Sequence, residues 1–228
     1  MASDPASNPI ATNQSGHFDA VAFDLLTALI DSWSLWIGVA GDEELGRRWR
    51  RASLRLVTSA GAYRPYEDIL REATAEVGLP PAGAAALLKR WEAGEVEPWP
   101  EAPAVLARVA ALGWRTAVVT NCSQRLAERA AAATGHRFDA IVSAERAGIY
   151  KTEPAAYRAG LLALGDPPPG RVLFVAGSAH DVPGAGAVGM PVYWSNRFGE
   201  AVPTGAPPPL VNARDLLRLP DVLGSAAR

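Results

Sequence analysis

Residues 18–33 read "FDAVAFDLLTALIDSW", and the fold turns on them. The run "AVAF" (20–23) is wholly apolar and stops at Asp24. A short apolar run with no polar face suits a strand buried on both sides, as in a parallel sheet under helices. Four more runs share that character: "RTAVVT" (115–120), "AIVS" (140–143), "RVLFVAG" (171–177) and "PVYWSN" (191–196). Helical stretches separate them. "EAPAVLARVAALG" (101–113) closes on Gly, "SQRLAERAAAATG" (123–135) opens on a Ser cap, and "EPAAYRAGLLALG" (153–165) carries Pro in its first turn. Strand alternating with helix predicts an α/β fold with a Rossmann-like parallel sheet. A short last strand at "LV" and a final helix are expected in "VPTGAPPPLVNARDLLRLPDVL".

The stretch 31–100 breaks that rhythm. "DEELGRRWRRASLRLVTSA", "PYEDILREATAEVG" and "PPAGAAALLKRWEAG" read as helices. Five of the seven tryptophans fall here, at 33, 36, 49, 91 and 99, so the segment has apolar surface of its own to bury. It is expected to be a helical cap inserted after the first strand. The core then comprises 18–30 and 101–228, with the Pro-rich "EVEPWPEAP" (95–103) as the return hinge. Residues 1–17 are polar, lack the pattern of a signal peptide, and read as a flexible tail on a cytoplasmic protein.

Composition removes several functions. A net charge of -2 gives no basic surface for nucleic acid or an anionic membrane. Cys122 is the single cysteine, which excludes an intrachain disulfide and a cysteine-rich zinc site. His17, His136 and His180 are far apart in sequence, without metal-ligand spacing. No apolar run approaches the ~18 residues of a membrane span.

Ligands of open parallel sheets bind at the carboxyl ends of the strands. Asp24 ends the first strand, and Thr120 and Asn121 end the second. Lys151 follows the third, and Ser178, His180 and Asp181 follow the fourth. If the strands are right, one crevice gathers two carboxylates, a lysine, an amide and hydroxyls. Two other features are decoys. "GAGAVG" (184–189) fits a dinucleotide fingerprint but follows a late strand, well past its end, so small residues for close helix packing explain it better. Cys122 adjoins the site with no histidine near it in sequence.

Four motifs in this order resemble the haloacid dehalogenase superfamily along nearly the whole chain from residue 18. They are "DLLTAL" (24–29), "VVTN" (118–121), "YKTEPAAY" (150–157) and "FVAGSAHD" (174–181). The resemblance implies that Asp24 is a nucleophile that forms an ester with the substrate. Phosphatases of the superfamily bind magnesium through further carboxylates, one two residues after the nucleophile and one in the fourth motif. Here those places hold Leu26 and Ala176-Gly177. Magnesium prefers octahedral oxygen ligation, so no metal and no cofactor are expected.

The metal-independent L-2-haloacid dehalogenase branch is the better match. By that resemblance Arg50, after Trp49, binds the leaving group, while Thr120 and Asn121 hold substrate. Lys151 orients Asp24, Tyr157 matches the family's Tyr six residues after that Lys, and Asp181 matches its final Asp, which positions the hydrolytic water or Lys151. Ser178 and His180, candidate substrate contacts, stand where that branch has other polar and aromatic residues, and His180 could activate water. Apart from the resemblance, Trp33, Trp36 and Tyr157 could line a small apolar pocket, with plain core as the alternative. Thr27-Ala28 replaces its Gly-Thr, so a usual hydroxyl is displaced or absent. The implied reaction is displacement at a carbon next to a carboxylate, most simply of a 2-halo acid. Alternatives are ring opening of azetidine-2-carboxylate by the same ester, an atypical phosphatase, and a non-catalytic relative. The implied partner is a small carboxylate substrate, and the resemblance implies a homodimer.

Overall fold

A computed structural model of the chain describes residues 18–226. The expected tail, and His17 with it, lies outside the described residues. Six strands form one parallel sheet: β1 (Ala20–Phe23), β2 (Arg115–Thr120), β3 (Ala140–Ser143), β4 (Val172–Ala176), β5 (Val192–Ser195) and β6 (Val211–Ala213). Their spatial order is β3-β2-β1-β4-β5-β6. The chain therefore builds outward on one side of β1, then returns to build on the other. The crevice between β1 and β4 is the switch point at which such sheets bind ligands.

Alternation along the strands divides the core between the two faces of the sheet. Val21, Phe23, Val118, Leu173 and Val175 face one helical layer, and Ala22, Val119, Phe174, Ala176 and Trp194 face the other. The second layer includes α8 (Pro154–Ala163) and α9 (Asp181–Ala187); the first includes α6 (Gln124–Ala133). A one-turn helix, α7 (Ala144–Ala147), follows β3, and α10 (Leu219–Ala226) closes the described chain.

Between β1 and β2 run α1 (Ser32–Ala40), α2 (Glu43–Ala60), α3 (Tyr66–Glu76), α4 (Ala82–Glu92) and α5 (Ala102–Ala111). Asp42 caps α2 by accepting from Leu45 N at 2.7 Å. The aromatic residues that crowd this segment bury one another: Trp36 meets Trp49 edge-on at 4.6 Å, and Tyr66 meets Trp91 at 6.3 Å. The chain leaves and re-enters the sheet layer side by side. Ile30 bridges Pro98 in antiparallel fashion, with Asp31 N donating to Glu97 O and Trp99 N to Leu29 O, both at 2.9 Å.

One helix start differs from its sequence reading. Ser123 stands at the N-cap of α6, but its hydroxyl donates to Glu67 Oε1 of α3 at 2.8 Å. The remote carboxylate of Glu145 caps the helix instead, accepting from Gln124 N at 2.7 Å. A carboxylate is the stronger acceptor, so both the hydroxyl and the helix amide turn to one.

Two glycines explain motif positions through close approach. A Cβ on Gly177 would lie 2.2 Å from Ala28 N and from Thr27 C, so only glycine lets the loop after β4 pass the loop after β1. Gly184, in "GAGAVG", lies under the Tyr157 ring, where a Cβ would come within 2.4 Å of Tyr157 Oη. That run packs a helix onto its neighbour. Gly177→Ala is expected to destabilise the fold by about 1–3 kcal/mol through forced displacement of Thr27-Ala28. Urea denaturation reads the stability, and turnover should fall with it because the same loop holds Asp24.

Candidate active site

Asp24 follows β1 directly, with its carboxylate buried, and both of its oxygens have partners. Oδ2 accepts from Thr27 N at 3.0 Å, Thr27 Oγ1 at 2.6 Å and Ala28 N at 3.1 Å. Oδ1 accepts from Lys151 Nζ at 2.8 Å. The loop after β1 winds tightly, with Leu29 N and Ile30 N both donating to Leu25 O, and this returns residue 27 to the carboxylate. The hydroxyl expected to be displaced or absent is therefore supplied by Thr27.

Lys151 Nζ also donates to Asp181 Oδ2 at 3.1 Å, and Tyr157 Oη donates to Asp181 Oδ1 at 2.7 Å. One buried ammonium thus joins two buried carboxylates, from residues far apart in sequence. Asn121 fixes where that ammonium stands. Its Nδ2 donates to Lys151 O at 2.9 Å, and its Oδ1 accepts from Lys151 N at 2.7 Å. The Asn121 amide is engaged at both ends with the lysine backbone.

A cleft opens above these groups. The carboxyl ends of the strands and the segments beyond them contribute Asp24, Thr120, Asn121, Lys151 and Asp181, with Leu26, Ser178 and His180 from the loops. The helices above contribute Arg50, Leu54, Val57, Thr58 and Tyr66. Eight of the eleven residues selected from sequence line this cleft. Tyr157 sits behind it, holding Asp181. Trp33 and Trp36 do not line it either: their rings lie 5.8 and 5.4 Å from the Arg50 guanidinium carbon and support that cation from the rear. Arg50 is 3% exposed, and its Nε has no hydrogen-bond partner. His180 is exposed at the rim.

Tyr66, Leu54, Val57 and Thr58 were not singled out from sequence. Three of them carried a signal, since Leu54, Val57 and Thr58 follow Arg50 by four, seven and eight residues, on one face of a helix. Tyr66 opens a different helix and had none.

The two carboxylates are driven apart in acidity. Burial alone would raise Asp24, but the Lys151 charge and hydrogen bond and the Thr27 donors outweigh it and hold the carboxyl below its usual range. Burial raises Asp181, and the nearby Asp24 charge adds to this, against the pull of Lys151 and Tyr157. Burial would lower Lys151, yet Asp181 and Asp24 raise it overall. Environments that separate two carboxyls in this way mark separate roles for them. Burial also pushes the Cys122 thiol up to about 12, which removes it as a nucleophile near neutrality.

A pH dependence follows. If Asp181 serves as a base it works only when ionised; because its carboxyl is raised, activity should then fall on acidification sooner than an ordinary aspartate would allow. Asp24, being lowered, stays ionised through that limb. Lys151, being raised, keeps its charge well into alkaline pH. A pH–rate profile should show one acid limb and a long flat plateau; loss of activity between pH 7 and 9 would contradict it.

The donor set suits a divalent metal poorly. The apolar Leu26 lines the cleft beside Asp24, Gly177 offers no ligand, and both Asp181 oxygens are engaged. Among the described residues no group of three or more His, Cys, Asp or Glu gathers. No step below runs through a metal.

A parallel sheet, a helical insert after its first strand, and a buried carboxylate paired with lysine at that strand's tip define a class of capped α/β hydrolases. The chain belongs to the haloacid dehalogenase-like hydrolases, whose family pattern matches residues 18–189. It is similar to (S)-2-haloacid dehalogenase H-109 of Pseudomonas putida, at 27% identity over 226 residues, 90% of this chain and 97% of that one. A phosphoserine phosphatase of Thermus thermophilus is 29% identical over 170 residues, 72% of this chain and 68% of its own. The L-2-haloacid dehalogenase of Xanthobacter autotrophicus, solved with chloropropionic acid covalently bound, has the same fold. It superposes with a TM-score of 0.80 at 23% identity, over 91% of this chain and 98% of that structure. The chain is thus a dehalogenase-like hydrolase of small molecules. Among the described residues no helix is long and apolar enough to cross a membrane.

Proposed function

We propose that the protein is a metal-independent hydrolase of small 2-substituted carboxylic acids, most simply 2-halo acids. The observation that carries the reading is the division of labour on Asp24. Three donors hold Oδ2, while Oδ1 has only Lys151 upon it. The lone pair of Oδ1 attacks the carbon next to the carboxylate, and the bonding pair leaves with the halide. Water then adds to Asp24 Cγ and gives its proton to Asp181. The negative charge that develops on Oδ2 meets Thr27 N, Thr27 Oγ1 and Ala28 N, already in place. Collapse breaks the Cγ–Oδ1 bond, the 2-hydroxy acid leaves with a proton returned by Asp181, and the re-formed Asp24 carboxyl releases the remaining water proton to solvent, restoring the carboxylate that Lys151 favours. Holding nucleophile and carbon in line supplies much of the rate.

The similarity to (S)-2-haloacid dehalogenases supports the substrate class. Residues 31–100 act as the lid of this reading, with 18–30 and 101–228 as its base; the paired crossings at Ile30 and Pro98 support that division. A homodimer belongs to the same proposal and rests on the family resemblance.

Thr27→Val should slow ester hydrolysis roughly 10²-fold, since one donor to the oxyanion is lost. The Asp24 ester should then accumulate and be visible by intact-protein mass spectrometry. The substrate class is tested by offering both enantiomers of 2-chloropropionate, azetidine-2-carboxylate, and phosphoserine with magnesium. Chloride release supports the proposal; turnover of phosphoserine alone would overturn it, and ring-opened amino acid alone would move the leaving group from halide to amine.

A further inference from the structure

Displacement at a saturated carbon places the leaving group opposite the nucleophile. Asp24 attacks from the carboxyl end of the central strand β1, so the leaving group departs towards the helices above. That wall of the cleft is made by Arg50, Leu54, Val57, Thr58 and Tyr66. Leu54 and Val57 are apolar, and the Thr58 hydroxyl is spent on Leu54 O and Arg55 O, both at 3.0 Å. Two polar groups remain. Arg50 is buried with Nε unpartnered, and Tyr66 is 1% exposed with Oη unpartnered. The Ser53 hydroxyl beside Tyr66 makes no hydrogen bond of full geometry and is itself buried.

A buried hydroxyl without a partner costs stability. It is retained here on the wall that faces the departing group. We propose that the Tyr66 hydroxyl is the hydrogen-bond donor of a leaving-group subsite, acting beside the Arg50 guanidinium, and that it tunes the enzyme towards fluoride and chloride over bromide. The proposal rests on the dehalogenation reading and deepens it. Burial raises the phenol to about 12, the nearby Arg50 notwithstanding, so it stays protonated and able to donate. In the displacement, the Oδ1 lone pair forms the O–C bond, and the carbon–halogen pair leaves on the halide, which takes the Tyr66 O–H and Arg50 N–H bonds. No proton is transferred. Hydrogen-bond acceptance falls steeply from fluoride to bromide, so an O–H donor favours the small halides, whereas a diffuse cation serves them all.

Tyr66→Phe keeps the ring against Trp91 and deletes only the donor. The variant should be at least as stable as the wild type in urea, because a buried unpaired group is removed. Its kcat/KM should fall about 10- to 100-fold on 2-fluoropropionate and less than about 3-fold on 2-bromopropionate, the range of a hydrogen bond to a charged group. Halide titration without substrate, read by fluorescence of the tryptophans beside Arg50, gives an independent measure. The variant should lose affinity for fluoride by about 10-fold or more, and for bromide hardly at all. Equal losses across the halogens in both measurements would overturn the proposal and leave dehalogenation standing. Tyr66-dependent fluoride binding, with no halide released from any 2-halo acid, would keep the subsite and overturn the dehalogenation reading.

Discussion

Asp24→Asn is expected to lower kcat at least about 10⁴-fold, with the fold intact. The asparagine oxygen can take the place of Oδ2, where Thr27 N, Thr27 Oγ1 and Ala28 N donate. Its NH₂ then occupies the place of Oδ1, against Lys151 Nζ, where no acceptor remains. Lys151 retains Asp181. The site thus keeps its cation and its oxyanion donors but loses the attacking lone pair. KM should change only a few-fold, since Arg50 and the other cleft residues are untouched. Circular dichroism should be unchanged, and no covalent adduct should form with any 2-halo acid. A variant that kept more than a hundredth of the wild-type rate would show that another group attacks.

Lys151→Met should be the most destabilising single change in the site, by about 3–5 kcal/mol near neutral pH. The side chains of Asp24, Asp181 and Lys151 are 7%, 4% and 4% exposed, so water cannot replace the missing ammonium. Two buried carboxylates would lose their shared cation and keep only neutral donors, Thr27 and Ala28 on Asp24 and Tyr157 on Asp181. Their pKa values would then rise above the unfolded values. Such groups leave stability intact at low pH and remove it as pH rises through the raised values. The deficit should therefore be large at pH 7 and should shrink on acidification, which urea denaturation at several pH values would read. Lys151→Met combined with Asp181→Asn should regain part of the stability and none of the activity. If the single variant were as stable at pH 7 as the wild type, the ion triad would not be the closed network described above.

Much of this is legible in the sequence. "AVAF", "RTAVVT" and "RVLFVAG" read as strands because burial on both faces leaves no polar alternation. The strand-end rule then gathered Asp24, Lys151 and Asp181 without a single contact being known. Other residues were legible as types but not as roles. Asn121 reads as a substrate amide, yet its amide is bound at both ends to the Lys151 backbone, because a lysine on a loop must be held if its ammonium is to be. Trp33 and Trp36 read as pocket lining and instead support Arg50; aromatic spacing on a helix cannot tell a wall from what stands behind it. Ser123 reads as a helix cap, but sequence carries no information on the distant carboxylates of Glu67 and Glu145. Thr27 appeared out of place by comparison with the family pattern, since the winding of its loop cannot be counted from residues. Tyr66 carried no signal at all, because an aromatic residue opening an amphipathic helix is ordinary core chemistry.

The central claim is that Asp24 is alkylated and then hydrolysed at its own carboxyl carbon. A single turnover of excess enzyme with 2-chloropropionate in heavy-oxygen water tests this. One heavy oxygen should appear in the peptide containing Asp24, and the 2-hydroxypropionate released should carry none. Heavy oxygen in the product hydroxyl, with the Asp24 peptide unlabelled, would mean that water attacks the substrate directly and would contradict the account.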